Sequence, residues 1–334
     1  MLSVLLGCTA GCLRSPTRLS GAEFMMDTLV EIELAGPEQV ALKAALNGAF
    51  NIMRDIADQA DRYKDDSEIA LVNKNAGVAP VKVSPALFAA VDFSQKQTRP
   101  EFDITLGPVI DLWREYGRQA QTPPPVEITA ALARTGRNKV ILNEENMTIY
   151  LKEQGMSLDL GGIAKGWAVE TAARFLAGQP GVVSALVNGG GEIKVIGQKP
   201  DKSAWRIAIQ DPRTSSDNLG VLRLEPGESV ATSGDYHRYF EVAGRRYHHI
   251  INPTDGWPGQ ENISVTVLTD TAYAAEYYSK VFFLLESSEA LRLNETLPGV
   301  EVIVVDNSGT VHVSAGLKGR FVKNEQSARL YRFR

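Results

Sequence analysis

The chain has 334 residues, of which 44% are hydrophobic and 22% are charged, with a formal net charge of -5. This balance is typical of a folded chain and excludes a mostly disordered one. Lysine and arginine are scattered along the sequence, so no basic stripe is available for a polynucleotide backbone. We therefore predict no nucleic-acid partner.

The first residues resemble an export signal of the bacterial lipoprotein type. An apolar stretch ends in Leu5-Leu6-Gly7-Cys8, which is similar to a lipobox, and both cysteines, Cys8 and Cys12, lie in the first dozen residues. We expect residues 1–20 to be a leader and linker, with a lipid on one of the two cysteines anchoring a periplasmic protein to the inner membrane. An ordinary N-terminus is the alternative, because no positively charged segment precedes the apolar stretch. We expect residues 21–334 to form the functional domain, which contains no cysteine for a disulfide, a zinc site or a thiol nucleophile.

The first half of this domain contains clear helix and strand signals. Apolar and polar residues alternate over Thr28–Leu34, which predicts a half-buried strand, and Gly36-Pro37 predicts that a helix begins there. Ser84-Pro85 predicts the start of a second helix. The segment 121–125 contains three prolines and predicts a stiff loop or a hinge between lobes.

The second half is dominated by strands. Lys139–Leu142 and Met147–Leu151 predict a hairpin, and Ala164–Ala177 and Ala272–Leu285 predict helices. Further strand candidates are Val182–Val187, Trp205–Gln210, Val221–Leu224, Tyr239–Val242, Tyr247–Ile251, Ile263–Leu268, Val302–Val305 and Thr310–Val313. Strands linked as hairpins with a few long helices predict an α+β fold with mainly antiparallel sheets.

Two glycine-rich turns are candidates for ligand binding. The segment 157–167 contains Asp159 and three glycines and predicts a strand, a turn and the start of a helix, where backbone N–H groups favour an anion such as a pyrophosphate. A tight turn with Lys165 in solvent is the alternative. The segment 188–192 contains three glycines after an apolar strand. This pattern indicates that a ligand or another backbone passes close to it, and a plain bulge is the alternative.

Three of the four histidines, His237, His248 and His249, lie within thirteen residues. On a strand, His248 and His249 face opposite ways, so at most one enters a given site and a zinc site is not favoured. One histidine acting as a general base near neutral pH fits better. A packed or solvated histidine remains the alternative.

A fourth candidate is one face of the helix at 272–285, where Tyr273, Glu276 and Lys280 lie together. From the spacing alone, the Glu276–Lys280 pair is interpreted as an ordinary ion pair on a helix surface.

In chain order, seven segments together resemble the ApbE family, the FAD:protein FMN transferases. The matching segments are 26–28 (MDT), 63–69 (YKDDSEI), 102–108 (FDITLGP) with Trp113, 159–166 (DLGGIAKG), the Asn188 turn, 233–236 (SGDY), and 249–253 (HIINP) with Gly256 and Pro258.

The resemblance implies a two-lobed, T-fold-like ApbE architecture and an enzyme that cleaves FAD at its pyrophosphate. FMN is attached through a phosphoester to a Thr or Ser of a target protein, and AMP is released. The resemblance implies that His249 is the general base. It also implies that the residues in contact with FAD are Met26, Tyr63, Phe102, Asp103, Ile104, Asp159, Lys165 and Ile251. It also implies Mg²⁺ at Gly162, Glu276 and Lys280, and membrane electron-transfer flavoproteins as targets, such as a sodium-pumping NADH:quinone oxidoreductase.

The last helix departs from the family pattern. Such proteins carry an Asp and, four residues later, a Thr or Ser as Mg²⁺ ligands, where this chain has Glu276 and Lys280. A protonated lysine cannot be a ligand. Three alternatives follow: Mg²⁺ binds with altered ligands, the Lys280 ammonium replaces the cation, or the protein binds FAD without transferring FMN. An FAD pyrophosphatase with water as acceptor is a further alternative.

Overall fold

The computed structural model describes residues 16–334. Within this range the α-helices are α1 (Gln39–Ala60), α2 (Glu68–Lys74), α3 (Pro85–Lys96), α4 (Gly107–Gly117), α5 (Pro125–Leu132), α6 (Ala164–Ala177), α7 (Ala272–Phe283) and α8 (Ser287–Glu295). The strands are β1 (Thr17–Met25), β2 (Thr28–Gly36), β3 (Val81–Lys82), β4 (Val140–Asn143), β5 (Thr148–Leu151), β6 (Ser184–Gly189), β7 (Ile193–Ile196), β8 (Trp205–Gln210), β9 (Asn218–Leu224), β10 (Ser229–Gly234), β11 (Tyr239–Val242), β12 (Arg245–His248), β13 (Asn262–Thr269), β14 (Glu301–Asp306), β15 (Thr310–Val313), β16 (Phe321–Lys323) and β17 (Arg332–Phe333).

A nine-stranded sheet forms the centre of the fold, in the order β1-β2-β6-β7-β10-β13-β14-β15-β17. Every neighbouring pair in it is antiparallel except β15 and β17. Two three-stranded sheets, β16-β9-β8 and β3-β5-β4, and the β11-β12 hairpin complete the described strands.

Both faces of the central sheet are covered, as β14 illustrates. Val302 and Val304 contribute to a hydrophobic core shared with α3 and α7, whereas Ile303 and Val305 pack with β8 and β9 on the other face. Successive side chains of a strand point to opposite faces, so a strand covered on both sides is apolar at consecutive positions. A further core lies between β2, α1 and α6, and α6 also packs against α7.

The sequence-based prediction of an α+β fold with mainly antiparallel sheets is confirmed. The hairpin predicted at 139–151 forms as β4 and β5, and α6 has the predicted bounds. Helix α3 begins at Pro85, with the Ser84 hydroxyl accepting a hydrogen bond from the Leu87 N–H at 3.3 Å. This is the N-cap that the Ser-Pro pair indicates.

Some boundaries were predicted wrongly. Helix α1 begins at Gln39 with Glu38 as N-cap, so Pro37 precedes the helix instead of lying in its first turn. Strand β1 was not predicted; it begins at Thr17, inside the segment 1–20 assigned to a leader and linker. The lipidation candidates Cys8 and Cys12 lie outside the described residues. Segment 121–125 leads into α5, and a lobe hinge there stays a prediction.

Within residues 16–334, none of the helices combines the length and the apolar character needed to cross a bilayer.

Candidate active site

Helices α6 and α7 are joined at their N-termini by two reciprocal hydrogen bonds. The Glu276 carboxylate of α7 accepts from the Gly166 N–H at 2.7 Å, and the Glu170 carboxylate of α6 accepts from the Ala272 N–H at 2.9 Å. Each acid satisfies a donor that a helix N-terminus leaves unpaired. Position 166 must be glycine because a Cβ there would lie 2.5 Å from the Ala272 carbonyl oxygen. This close junction places α7 over the glycine turn that precedes α6.

Two ion pairs lie side by side at this junction. The Lys165 ammonium is 2.5 Å from the Glu192 carboxylate, and the Lys280 ammonium is 3.2 Å from that of Glu276. Burial alone would lower the pKa of Lys165, but the carboxylates of Glu192 and Glu276 outweigh it and raise that pKa above its ordinary value. Burial raises the pKa of the Glu192 carboxyl. The glycine turn therefore carries two ammonium groups held by two buried acids.

The residues that the family resemblance assigns to Mg²⁺ do not fit the ion. Glu276 is fully buried, and its two oxygens accept from the Gly166 N–H and from the Lys280 ammonium. A protonated lysine has no lone pair to offer, and its charge repels a divalent cation at close range. The interpretation of Glu276 and Lys280 as an exposed surface pair is also wrong, because one partner is buried completely.

The turn itself is held by Asp159 and by an arginine that the sequence analysis missed. Asp159 accepts from the Gly161 N–H at 2.8 Å and from the Arg62 guanidinium at 3.2 Å. Arg62 is almost buried, and it also donates to the Ser157 hydroxyl at 2.7 Å and pairs with Asp111 at 2.5 Å. Its position directly before the YKDDSEI segment was the available signal. Arg62 fixes Asp159, and Asp159 fixes the backbone of the turn.

His249 directly follows β12, and it keeps an exposed part although its ring lies against protein atoms. Its Nδ1 is 3.3 Å from the Arg238 carbonyl oxygen, which can only accept, so Nδ1 carries the proton and Nε2 has a free lone pair. The protein atoms packed around the ring, and next the charge of Lys280, lower the pKa of His249 well below its ordinary value. The imidazole is therefore neutral near pH 7 and able to accept a proton.

His248 has a different role. Its Nε2 donates to the Gly259 carbonyl at 2.7 Å, and its Nδ1 accepts from the Ile250 N–H at 3.2 Å. Both ring nitrogens are used within the protein, and the side chain is buried. Strand spacing alone did not choose between the two adjacent histidines, and of the two only His249 keeps a ring nitrogen without a protein partner among the described residues.

The segment after His249 is anchored by Trp113. The indole N–H of Trp113 donates to the Gly256 carbonyl at 2.6 Å, and the Asn252 N–H donates to Trp257 O at 2.8 Å. Gly256 has φ +74°, and a Cβ there would lie 2.5 Å from Ile128. This turn fixes the backbone that carries His249.

The other residues assigned to FAD fall into two groups. Phe102, Ile104 and Ile251 are buried apolar side chains whose contacts belong to the core. Phe102 packs edge-on against Tyr277 with ring centroids 5.0 Å apart. Asp103 accepts from the N–H and the hydroxyl of Thr105, which shapes the FDIT turn. Direct contact of these side chains with FAD stays a prediction.

Met26 and Tyr63 lie nearer the surface. Met26 has φ 53° in the tight turn between β1 and β2, and a Cβ at Gly190 would collide with Thr28 of that turn. The Tyr63 ring is 52% exposed, and the Arg114 guanidinium lies over it at 3.9 Å. One face of Tyr63 is thus occupied by a cation, which reduces the stacking area predicted for a flavin or adenine.

Lys280 links the two halves of the site. A Cβ built at Gly162 would lie 3.6 Å from its Cδ atom, and its charge acts on both Glu192 and His249. Lys280 therefore lies against the glycine turn, and its charge also acts on the candidate base. A separate groove of about 240 Å³, bordered by residues including Arg18, Glu33 and Trp205, contains none of the predicted site residues.

Comparison with known proteins agrees with this fold. The ApbE family model matches residues 26–304. The chain is 30% identical over 319 residues to an FAD:protein FMN transferase of Treponema pallidum, covering 90% of this chain and 88% of that protein, and 31% identical over 287 residues to one of Klebsiella pneumoniae, covering 84% and 87%. It is similar to the crystal structure of an ApbE protein from Thermotoga maritima, with a TM-score of 0.84 and 28% identity over 92% of this chain and 100% of that one. For the apo flavinyl transferase ApbE of Pseudomonas stutzeri the TM-score is 0.79 and the identity 27%, over 92% and 98%.

The fold is that of the flavin-transferase class of proteins. The chain belongs to the ApbE family.

Proposed function

We propose that this chain is an FAD:protein FMN transferase that moves FMN from FAD to a Thr or Ser hydroxyl of a target protein. Belonging to a family whose curated relatives carry this name supports the activity. The observation that carries the proposal is that Lys280 lies against the glycine turn and also acts on His249, whose Nε2 has a free lone pair. We infer that the turn and His249 border one cleft that holds FAD.

The chemistry needs a base, a held anion and a good leaving group. The target hydroxyl loses its proton to His249 Nε2, and its oxygen forms a bond to the phosphorus on the FMN side of FAD. The bond from that phosphorus to the bridging oxygen breaks, and AMP leaves with the bridging oxygen. Phosphoryl transfer depends mainly on positioning and charge stabilisation, which Lys165, Lys280 and the turn after Asp159 supply.

The test is product analysis with purified protein, FAD and an acceptor. A suitable acceptor is the flavin-carrying subunit of a sodium-pumping NADH:quinone oxidoreductase, followed by flavin fluorescence in a denaturing gel and by chromatography of AMP. We expect covalent FMN and AMP in equal amounts, both dependent on the acceptor. Free FMN and AMP without acceptor would indicate an FAD pyrophosphatase, and retained FAD without AMP would indicate a binding protein.

We also propose that the natural target is a membrane electron-transfer flavoprotein and that the enzyme works in the periplasm, anchored by a lipid on Cys8 or Cys12. The lipobox-like sequence at Leu5–Cys8 supports the anchor. Mass spectrometry of the protein purified from its native membrane would identify the mature first residue. A soluble protein that retains an unmodified Cys8 and Cys12 would contradict the anchor.

A further inference from the structure

Lys280 in α7 occupies a position at which the family resemblance implies a metal ligand. Lys280 projects from α7 towards Gly162, and its side chain is 14% exposed. An ordinary surface lysine would be free in solvent. This one is held against the glycine turn.

Both carboxylate oxygens of Glu276, the acid beside Lys280, already accept hydrogen bonds. Glu276 is fully buried, one oxygen accepts from the Gly166 N–H at 2.7 Å, and the other accepts from Lys280 at 3.2 Å. A divalent cation that bound Glu276 would have to displace either the bond that joins α6 to α7 or the lysine. Both changes leave a buried polar group without its partner, which is costly.

The charges at the turn are also balanced without a metal. Lys165 and Lys280 pair with Glu192 and Glu276, and the Arg238 guanidinium adds a positive charge that acts on Lys165 and His249. Arg238 is itself 3.5 Å from the Asp27 carboxylate, so these three pairs leave no excess charge at the turn. An ammonium has three N–H donors, and within the described residues Glu276 accepts from one of those on Lys280.

We propose that the Lys280 ammonium takes the place of the divalent cation, so that this enzyme binds FAD and transfers FMN without Mg²⁺. The remaining donors of Lys280 face the cleft and bind the FAD pyrophosphate, as a fixed cation binds phosphate oxygens elsewhere. The inference rests on the proposed transferase function, but it makes a separate statement about the metal.

The first test measures Mg²⁺ binding directly, by isothermal titration of MgCl₂ into the full chain. We expect no saturable binding to the wild type. The double variant E276D/K280T, which restores the family's ligand types, is expected to bind Mg²⁺. Saturable binding of Mg²⁺ to the wild type at millimolar or lower concentration would overturn the proposal.

The second test measures FMN transfer in EDTA and in Mg²⁺. The wild-type rate is expected to agree within about twofold between the two conditions, whereas a loss of tenfold or more in EDTA that Mg²⁺ reverses would overturn the proposal. A third measurement is FAD affinity, followed by flavin fluorescence quenching in EDTA. K280M should lose at least tenfold in this affinity, while K280R keeps most of it. Equal affinity of K280M and wild type would also overturn the proposal.

Two controls separate the possible failures. Lys96 in α3 forms an exposed i,i+4 pair with Asp92, so K96M removes a surface lysine that pairs with a neighbouring acid and should leave FAD affinity unchanged. Circular dichroism melts of each variant show whether it folds. If the wild type transfers no FMN in either condition, the transferase function fails, while the Mg²⁺ titration and the FAD affinities still decide the role of Lys280.

Discussion

The Glu276 carboxylate accepts a hydrogen bond from the Gly166 N–H at 2.7 Å, across 110 positions of sequence. With the matching bond from Ala272 to Glu170, this contact aligns α6 and α7 so that the glycine turn faces Lys280. The catalytic cleft and the stability of the helix junction therefore depend on the same acid.

Removing the Glu276 carboxylate should destabilise the fold. E276A leaves the buried Gly166 N–H and the Lys280 ammonium without an acceptor, and breaking a buried pair of this kind costs about 3 kcal/mol. Urea denaturation should show the loss. E276Q, which can still accept from Gly166, should lose less. Equal stability of E276A and wild type would show that the junction does not depend on this acid.

Gly166 should tolerate no side chain. A Cβ there would lie 2.5 Å from Ala272 O, so G166A must move α6 away from α7, at a cost of about 1–3 kcal/mol. Gly178 at the other end of α6 is the matched control, because a Cβ there meets no atom closer than 3.5 Å. Thermal melts should separate the two variants, and equal melting temperatures would contradict the close contact.

The base assignment predicts a selective loss of chemistry. H249A should lower FMN transfer by a factor of about 10²–10⁴, the usual contribution of a general base, while FAD affinity changes little. His312 pairs with Asp306 in β14, so H312A is the control and should transfer FMN at nearly the wild-type rate. A transfer rate of H249A within threefold of the wild type would rule out this residue as the base.

The pH dependence follows from the lowered pKa of His249. A base is active in its neutral form, and the His249 pKa is lowered to about 3, so kcat/KM should stay nearly constant as the pH falls from 8 to 5.5. A decline centred near pH 6.5, the ordinary imidazole value, would contradict the depression of this pKa.

Burial also lowers the pKa of His248 in the folded chain. Below about pH 6.5 the unfolded chain therefore binds more protons at His248 and His249 than the folded chain does. Both histidines should thus reduce the free energy of unfolding as the pH falls. Urea unfolding at pH 7.5 and pH 5.5 would measure this effect. Loss of stability without loss of kcat/KM at pH 5.5 is the expected combination.

Arg62 should prove essential to the glycine turn. R62K keeps a charge but cannot span Asp159, Ser157 and Asp111 at once, so we expect FAD affinity to fall at least tenfold. R114K, at the neighbouring guanidinium over Tyr63, should have a smaller effect. Fluorescence titration with FAD would compare them, and unchanged affinity in R62K would show that Asp159 holds the turn without it.

Local sequence patterns predicted the local structure well. The β4–β5 hairpin, the capped start of α3 and the bounds of α6 follow from alternation, a Ser-Pro cap and helical periodicity. Strand β1 was missed because its polar, small residues at 17–22 resemble a linker, and it is ordered by pairing with β2 over its whole length.

Long-range contacts were beyond what sequence patterns can predict. The Glu276–Lys280 spacing is compatible with a solvent-exposed pair, and only the packing of α7 on α6 buries the acid. Likewise, the two adjacent histidines differ in the contacts that their ring nitrogens make with distant carbonyls, not in their local sequence. The family resemblance named the candidate residues, and the structure shows which contacts each of them makes.

A crystal structure of the chain with FAD, grown in EDTA, tests the shared cleft most directly. The pyrophosphate should lie between the turn that follows Asp159 and the imidazole of His249, with a phosphate oxygen in hydrogen-bond contact with Lys280 Nζ. FAD phosphates bound elsewhere, for example in the groove beside Trp205, would contradict a single pyrophosphate-binding cleft.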